Sequence, residues 1–108
     1  MAETTQPVME QLRATLWRRV GDATHTSVAD LATVLIGLAA APEDDDLRQR
    51  GVALAHAVAG SAGVYGFRDE ARAASELEGL LRSWPGASGV ATARPLLALL
   101  EGGFEVEA

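Results

Sequence analysis

The chain has no cysteine. Disulfides and thiolate metal sites are therefore excluded, packing alone must hold the fold, and an intracellular setting is the natural expectation. Aromatic residues are scarce at 5% and β-branched residues are scattered, whereas Ala and Leu abound. That balance favours helices packed on helices over a sheet. Basic residues are outnumbered, nine against fifteen acids for a formal charge of −6, which argues against a partner gripped by its phosphate backbone; no nucleic acid is expected. Long hydrophobic runs are missing too: the longest nearly apolar stretch, Val28 to Pro42, contains Asp30 and is too short to cross a bilayer. The polar start "MAETTQP" lacks the basic and apolar regions of a signal peptide. The expectation is a soluble, cytoplasmic monomer with no membrane partner.

What is present reads as a series of helices. Pro7 suits the first turn of a helix in which Val8, Met9, Leu12, Leu16 and Val20 recur at helical spacing until Gly21, with Trp17 beside the stripe. The stretch "GDATHTS" is turn-like, and Ser27 followed by Asp30 resembles a capping box. A second helix then presents Val28, Leu31, Leu35 and Leu38 on one face until Pro42 stops it. The acids of "EDDD" sit well at the positive end of a third helix, from near Asp45 to about Val64. After "GFRDE", a fourth helix carries Ala74, Leu77 and Leu81 and ends around Trp84. A last segment, "VATARPLLALLEGG", supports a final helix in which Pro95 is either a first-turn residue or a kink point. The predicted fold class is all-α, an antiparallel four-helix bundle with an additional short N- or C-terminal helix. Residues 1–108 form a single domain in this reading, with a core from about 7 to 101 and a loose tail over 102–108.

One histidine stands out. On the third helix, Leu47, Gly51, Leu54, Val58 and Ala62 follow at steps of three or four and define a stripe toward the core. His56 lies two residues from both Leu54 and Val58, which at about 100° per residue turns it to roughly the opposite face, toward solvent. Its neighbours there are Val52, Ala53, Ala59 and Gly60, with Gln49 and Gly63 one turn further, a smooth and poorly charged surface. A glycine within a helix costs about 0.8 to 1 kcal/mol relative to Ala. Two explanations of that cost stay open: clearance for an approaching partner, or close packing between helices beside an ordinary surface histidine. His25, in the turn-like stretch between Thr24 and Thr26, has no comparable surroundings and reads as incidental.

The stretch "AHAVAGSAGVYGF" resembles the signature of histidine-containing phosphotransfer domains, through His56, Gly60, Ser61, Ala62, Gly63, Gly66 and Phe67, with "ASELE" at 74–78 in the place of the following helix. The resemblance covers residues 47 to 81. It implies an antiparallel helical bundle in which an exposed histidine accepts a phosphoryl group from a receiver-domain aspartate and passes it to another receiver. His56 takes the phosphoacceptor role by this resemblance, and Gln49, Val52, Ala53, Ala59, Gly60 and Gly63 form the receiver docking face. The partners implied are receiver domains of response regulators or hybrid kinases.

The chemistry suits the residue, because neutral imidazole is a good nucleophile near neutral pH and a phosphoramidate is reactive enough to pass its phosphoryl onward. By the resemblance the chain is a carrier and not an enzyme in its own right, with no cofactor and no metal of its own; magnesium, the acidic cluster and a lysine come with the receiver. The run "EDDD" lacks the alternating spacing and glycine of an EF-hand and reads as a solvated helix cap. Many family members carry Lys or Arg close to the histidine, often three residues after it, whereas Ala57 and Ala59 stand here. Phosphate attraction has to come from further off, with Arg48, Arg50, Arg68 and Arg72 as the candidates. An adaptor that docks receivers or self-associates without being phosphorylated is the alternative. A general-base enzyme fits poorly, since no Ser, Cys or carboxylate lies one helical turn from His56. The initiating Met is in keeping with a stand-alone carrier rather than part of a larger kinase.

Overall fold

The computed structural model describes residues 2–105. It contains four helices, α1 (Ala2–Ala40), α2 (Asp45–Val64), α3 (Arg68–Arg82) and α4 (Gly89–Gly102), and no strand among the described residues. The helices pack in a ring, α1 on α2, α2 on α3, α3 on α4 and α4 on α1. Their buried side chains form one cluster, centred on Leu31, Leu38, Val58, Leu77, Leu81 and Leu100.

The first two predicted helices are one. The turn expected over "GDATHTS" and the capping box at Ser27 do not form; α1 runs through both, and Pro7 lies inside it rather than in its first turn. The cause is an unbroken buried row, Trp17, Gly21, Thr24, Val28, Leu31, Leu35 and Leu38, which steps by four and three residues along a single face. Gly21, read from sequence as a helix end, is small because Trp17 lies over it: a Cβ there would stand 3.0 Å from Trp17 Cε2. Two polar residues of the stretch bond back to the helix, Ser27 Oγ donating to the Ala23 carbonyl at 3.1 Å and His25 Nδ1 donating to the Gly21 carbonyl at 2.9 Å. This 39-residue helix is the longest element, and it sets the long dimension of a 55 × 21 × 19 Å molecule. Along its first half Val8, Met9, Leu12, Leu16 and Val20 are exposed. One 18-residue window within Pro7–Ala40 reaches a mean hydropathy of 1.3, long and apolar enough by composition alone to span a bilayer, a property that core helices of soluble proteins share. From Val28 onward its apolar side chains belong to the common core.

Helix α2 begins and ends as its sequence dictates. Asp44 caps it, Oδ1 accepting from the Leu47 N–H at 3.1 Å, while Asp45 accepts from Arg48 and Gln49. At the other end Gly66, at φ 82°, reverses the chain, and the Phe67 and Gly66 N–H groups return to the Ala62 and Gly63 carbonyls. This is a Schellman stop, and glycine supplies its left-handed residue without strain. Pro95 lies within α4.

The predicted loose tail is also corrected. Phe104 is buried, with its ring stacked on Trp17 at a centroid distance of 5.3 Å and edge-on to Phe67 at 5.2 Å. Tyr65 completes the cluster 5.5 Å from Trp17. An aromatic ring can bury enough surface to hold a short segment that has no secondary structure. Residues 106–108 of that expected tail lie outside the described residues. Phe104→Ala is accordingly expected to lower stability by about 3 kcal/mol, measurable by urea denaturation, whereas a loose tail would give no change.

Candidate functional site

Phase along α2 decides what His56 faces. The core row of α2 is Gly51, Ala55, Val58 and Ala62, so Ala55 takes the central place expected of Leu54, which is half-buried at the edge with Leu47. His56 follows Ala55 directly, yet its side chain is 75% exposed. Because the row lies one residue later than the expected stripe at this level, His56 is displaced about 125° from the row's centre rather than lying opposite it. That rotation brings it to the seam with α3.

Across the seam stands Glu78. His56 Nδ1 lies 3.2 Å from Oε1 and 3.3 Å from Oε2 of Glu78. A carboxylate only accepts hydrogen bonds, so Nδ1 is the donor. One turn further along α3, Arg82 donates to Oε2 from Nε at 3.1 Å and from Nη2 at 2.8 Å. The hydrogen bonds from Arg82, with the one from His56, hold the Glu78 carboxyl below its ordinary value against the opposing effect of partial burial. Glu78 is only 16% exposed, whereas Arg82 is 61% exposed.

The remaining predicted site residues divide into two groups. Ala53, Gly60 and Gly63 are exposed, and a Cβ built on either glycine meets nothing within 4 Å. These glycines therefore open onto space and are not sites of close helix packing. Val52 and Ala59 are half-buried and pack against the core, and Gln49 is turned toward the start of α2, donating to Asp45 Oδ2 at 2.7 Å. Of the candidate cations, Arg48 is committed to Asp45 at 2.7 Å and to the Leu81 carbonyl at 3.3 Å. Arg68 and Arg72 line, with Arg13 of α1, a groove of about 630 Å³ that begins at Gly63. Arg50 is exposed.

Sequence reasoning missed Glu78 and Arg82. Their four-residue spacing marks a helical ion pair, and Glu78 belongs to the quoted "ASELE", but only the α2–α3 packing reveals that the pair faces His56. Among the described residues no three His, Asp or Glu side chains converge where a metal ion could be held.

The sign of the Glu78 shift sets a pH dependence. A carboxyl whose pKa is lowered on folding adds stability above its ordinary value of 4.5, and that contribution disappears as pH falls through the lowered value. The stability difference between wild type and Glu78→Gln, followed by urea denaturation, should therefore close on acidification; a difference that persists in strong acid would show that the carboxylate charge plays no part. No family model matches the chain, and neither does any curated protein or solved structure.

Proposed function

We propose that the chain is a histidine phosphotransfer carrier of a two-component phosphorelay, folded as an antiparallel helical bundle and working as a cytoplasmic monomer. The observation that supports this most is an exposed imidazole in mid-helix, hydrogen-bonded through Nδ1 to a carboxylate on the neighbouring helix and followed on its own helix by two glycines with open space above them. The resemblance of residues 47–81 to the phosphotransfer signature supplies the rest. In this reading the His56 ring attacks the phosphorus of a receiver's aspartyl phosphate, the aspartate carboxylate leaves, and the phosphoryl group later passes to a second receiver. The chain itself supplies the nucleophile and a docking face of Val52, Ala53, Ala59, Gly60 and Gly63. Magnesium belongs to the receiver.

Arg82 is the cation on α3 next to the site, and its two hydrogen bonds go to Glu78. Further along the same face, Arg13, Arg68 and Arg72 offer positive charge to an acidic partner. Such rim charges act mainly on the rate of encounter.

Incubation with a panel of phosphorylated receivers should leave acid-labile, alkali-stable phosphate on the wild type and none on His56→Gln. Equal labelling of the two, or no labelling of either beside a working control relay, overturns the carrier reading. Receiver binding without labelling identifies the adaptor instead. Gly60→Leu should slow transfer from a receiver at least tenfold while its denaturation midpoint holds or rises, because the new side chain fills the approach path and leucine favours helix over glycine by about 0.8 kcal/mol.

A further inference from the structure

In a chain of formal charge −6, arginines find acids easily, as Arg48 does with Asp45 and Arg82 with Glu78. Three arginines do not. Arg13 of α1 and Arg68 and Arg72 of α3 are exposed and line one groove of about 630 Å³. None of the three forms an ion pair or a side-chain hydrogen bond among the described residues. No acid lines the groove, whose other walls are Ala62, Gly63, Val64, Gly66 and Ala71. Helical phase produces this segregation, since Arg68 and Arg72 stand one turn apart on α3 while Asp69 and Glu70 between them turn away. Glu70 lies against Gly103, where a Cβ would come 2.6 Å from its Cγ, and Asp69 borders a separate hollow with Leu96 and Leu99 of α4. Arg72 reaches the edge of that hollow, yet pairs with neither Asp69 nor Glu76 there. Arg13 arrives from the other side, its Nη1 3.3 Å from where a Cβ of Gly66 would stand. The carbonyls that end α2 and would repel an anion are engaged, Ala62 O by the Phe67 N–H at 2.8 Å and Gly63 O by the Gly66 N–H at 3.3 Å. Like charges gathered on one concave surface repel one another, and a bound anion relieves that repulsion.

We propose that this groove binds a small anion bearing two phosphoryl groups, either free in solution or as the headgroup of a phosphorylated lipid. The planar fork of a guanidinium matches two phosphate oxygens, and three forks exceed what a lone carboxylate can occupy. The volume lies within the roughly 300–1,000 Å³ of small-ligand clefts and leaves room beyond a single phosphate. No aromatic ring lines the groove, so a nucleobase has no stacking platform there. The organic part of the ligand meets only Val64 and Ala71, which select for a compact body. Gly63 is seven residues after His56 on α2, which sets the groove about 10 Å along the helix from the imidazole. The site is thus separate from His56, and its occupation does not depend on the carrier reading. A bound anion neutralises the arginines that otherwise meet an acidic partner.

The test titrates the full chain with sodium pyrophosphate at constant ionic strength and follows it by nitrogen-15 NMR. Binding should saturate and shift the signals of Gly63, Arg68 and Arg72 before others. Arg68→Gln and Arg72→Gln should each weaken it about tenfold, the loss of a charge-assisted hydrogen-bonding partner. Arg94→Gln removes an exposed arginine of α4 outside the groove and should leave binding unchanged. So should His56→Gln; a loss there moves the anion to the imidazole and overturns the groove. An absence of saturation, or an equal loss in Arg94→Gln, overturns it as well. Displacement of nothing by pyrophosphate but binding of a glutamate-rich peptide assigns the groove to an acidic protein segment and also overturns the proposal. Once pyrophosphate saturates the site, co-sedimentation separates the two sources. Retention on phosphatidylcholine vesicles containing phosphatidylinositol bisphosphate, absent on plain vesicles and lost in Arg68→Gln, supports the lipid headgroup, and no retention on either supports the free anion.

Discussion

The close approach of α2 and α3 is the constraint on which the site depends. Small residues are buried on both helices, Gly51, Ala55 and Ala62 on α2 and Ala74 on α3, and they permit it. At Gly51 the fit is tight, since a Cβ would stand 3.1 Å from both Leu81 Cδ1 and Val34 Cγ1. Interiors packed at this density do not yield a methyl group's width without displacing neighbours. The separation of the two helices is therefore fixed deep in the core, and so is the distance between a histidine on one and a glutamate on the other. An exposed site gains rigidity from residues that never touch solvent.

Charge is distributed in a way the net value conceals. The molecule is acidic overall, and several acids are spent locally, Asp44 on a helix cap and Asp45 on Arg48 and Gln49. Glu78 is held between a cation and an imidazole. Arg13, Arg68 and Arg72 are left to line the groove at the far end of the His56 face. A surface of this kind presents small neutral residues around the imidazole and arginines at the groove beyond Gly63.

Much of this was legible in the sequence, and the failures have physical causes. The limits of α2 follow from local chemistry, an aspartate cap at one end and a glycine in the left-handed region at the other, and both are visible in the residue string. The exposure of His56 followed from its phase relative to Val58 and Ala62. The phase differs from the expected one because Ala55, not Leu54, is core: a large apolar residue is a stronger signal than alanine, whereas tight helix pairs prefer the alanine. The turn expected after Gly21 failed for the same reason: a polar stretch hid Gly21 and Thr24, the two small members of a continuous buried row. Contacts between elements distant in the chain, such as Glu78 with His56 across 22 residues and Phe104 with Trp17, leave no local trace.

Trp17 gathers Tyr65, Phe67 and Phe104 about it, so four of the five aromatic residues of the chain meet at the end of the molecule where α2 turns into α3. The fifth, Trp84, lies beyond the opposite end of α2, its Nε1 donating to the Pro42 carbonyl at 3.2 Å. A 20-residue helix separates the two by about 30 Å. Each end of α2 thus has a natural fluorophore beside it, and His56 has none. Quenching or spectral change at one tryptophan alone would locate a bound partner or a local opening without any label, and the face where the imidazole stands would remain chemically untouched by the measurement.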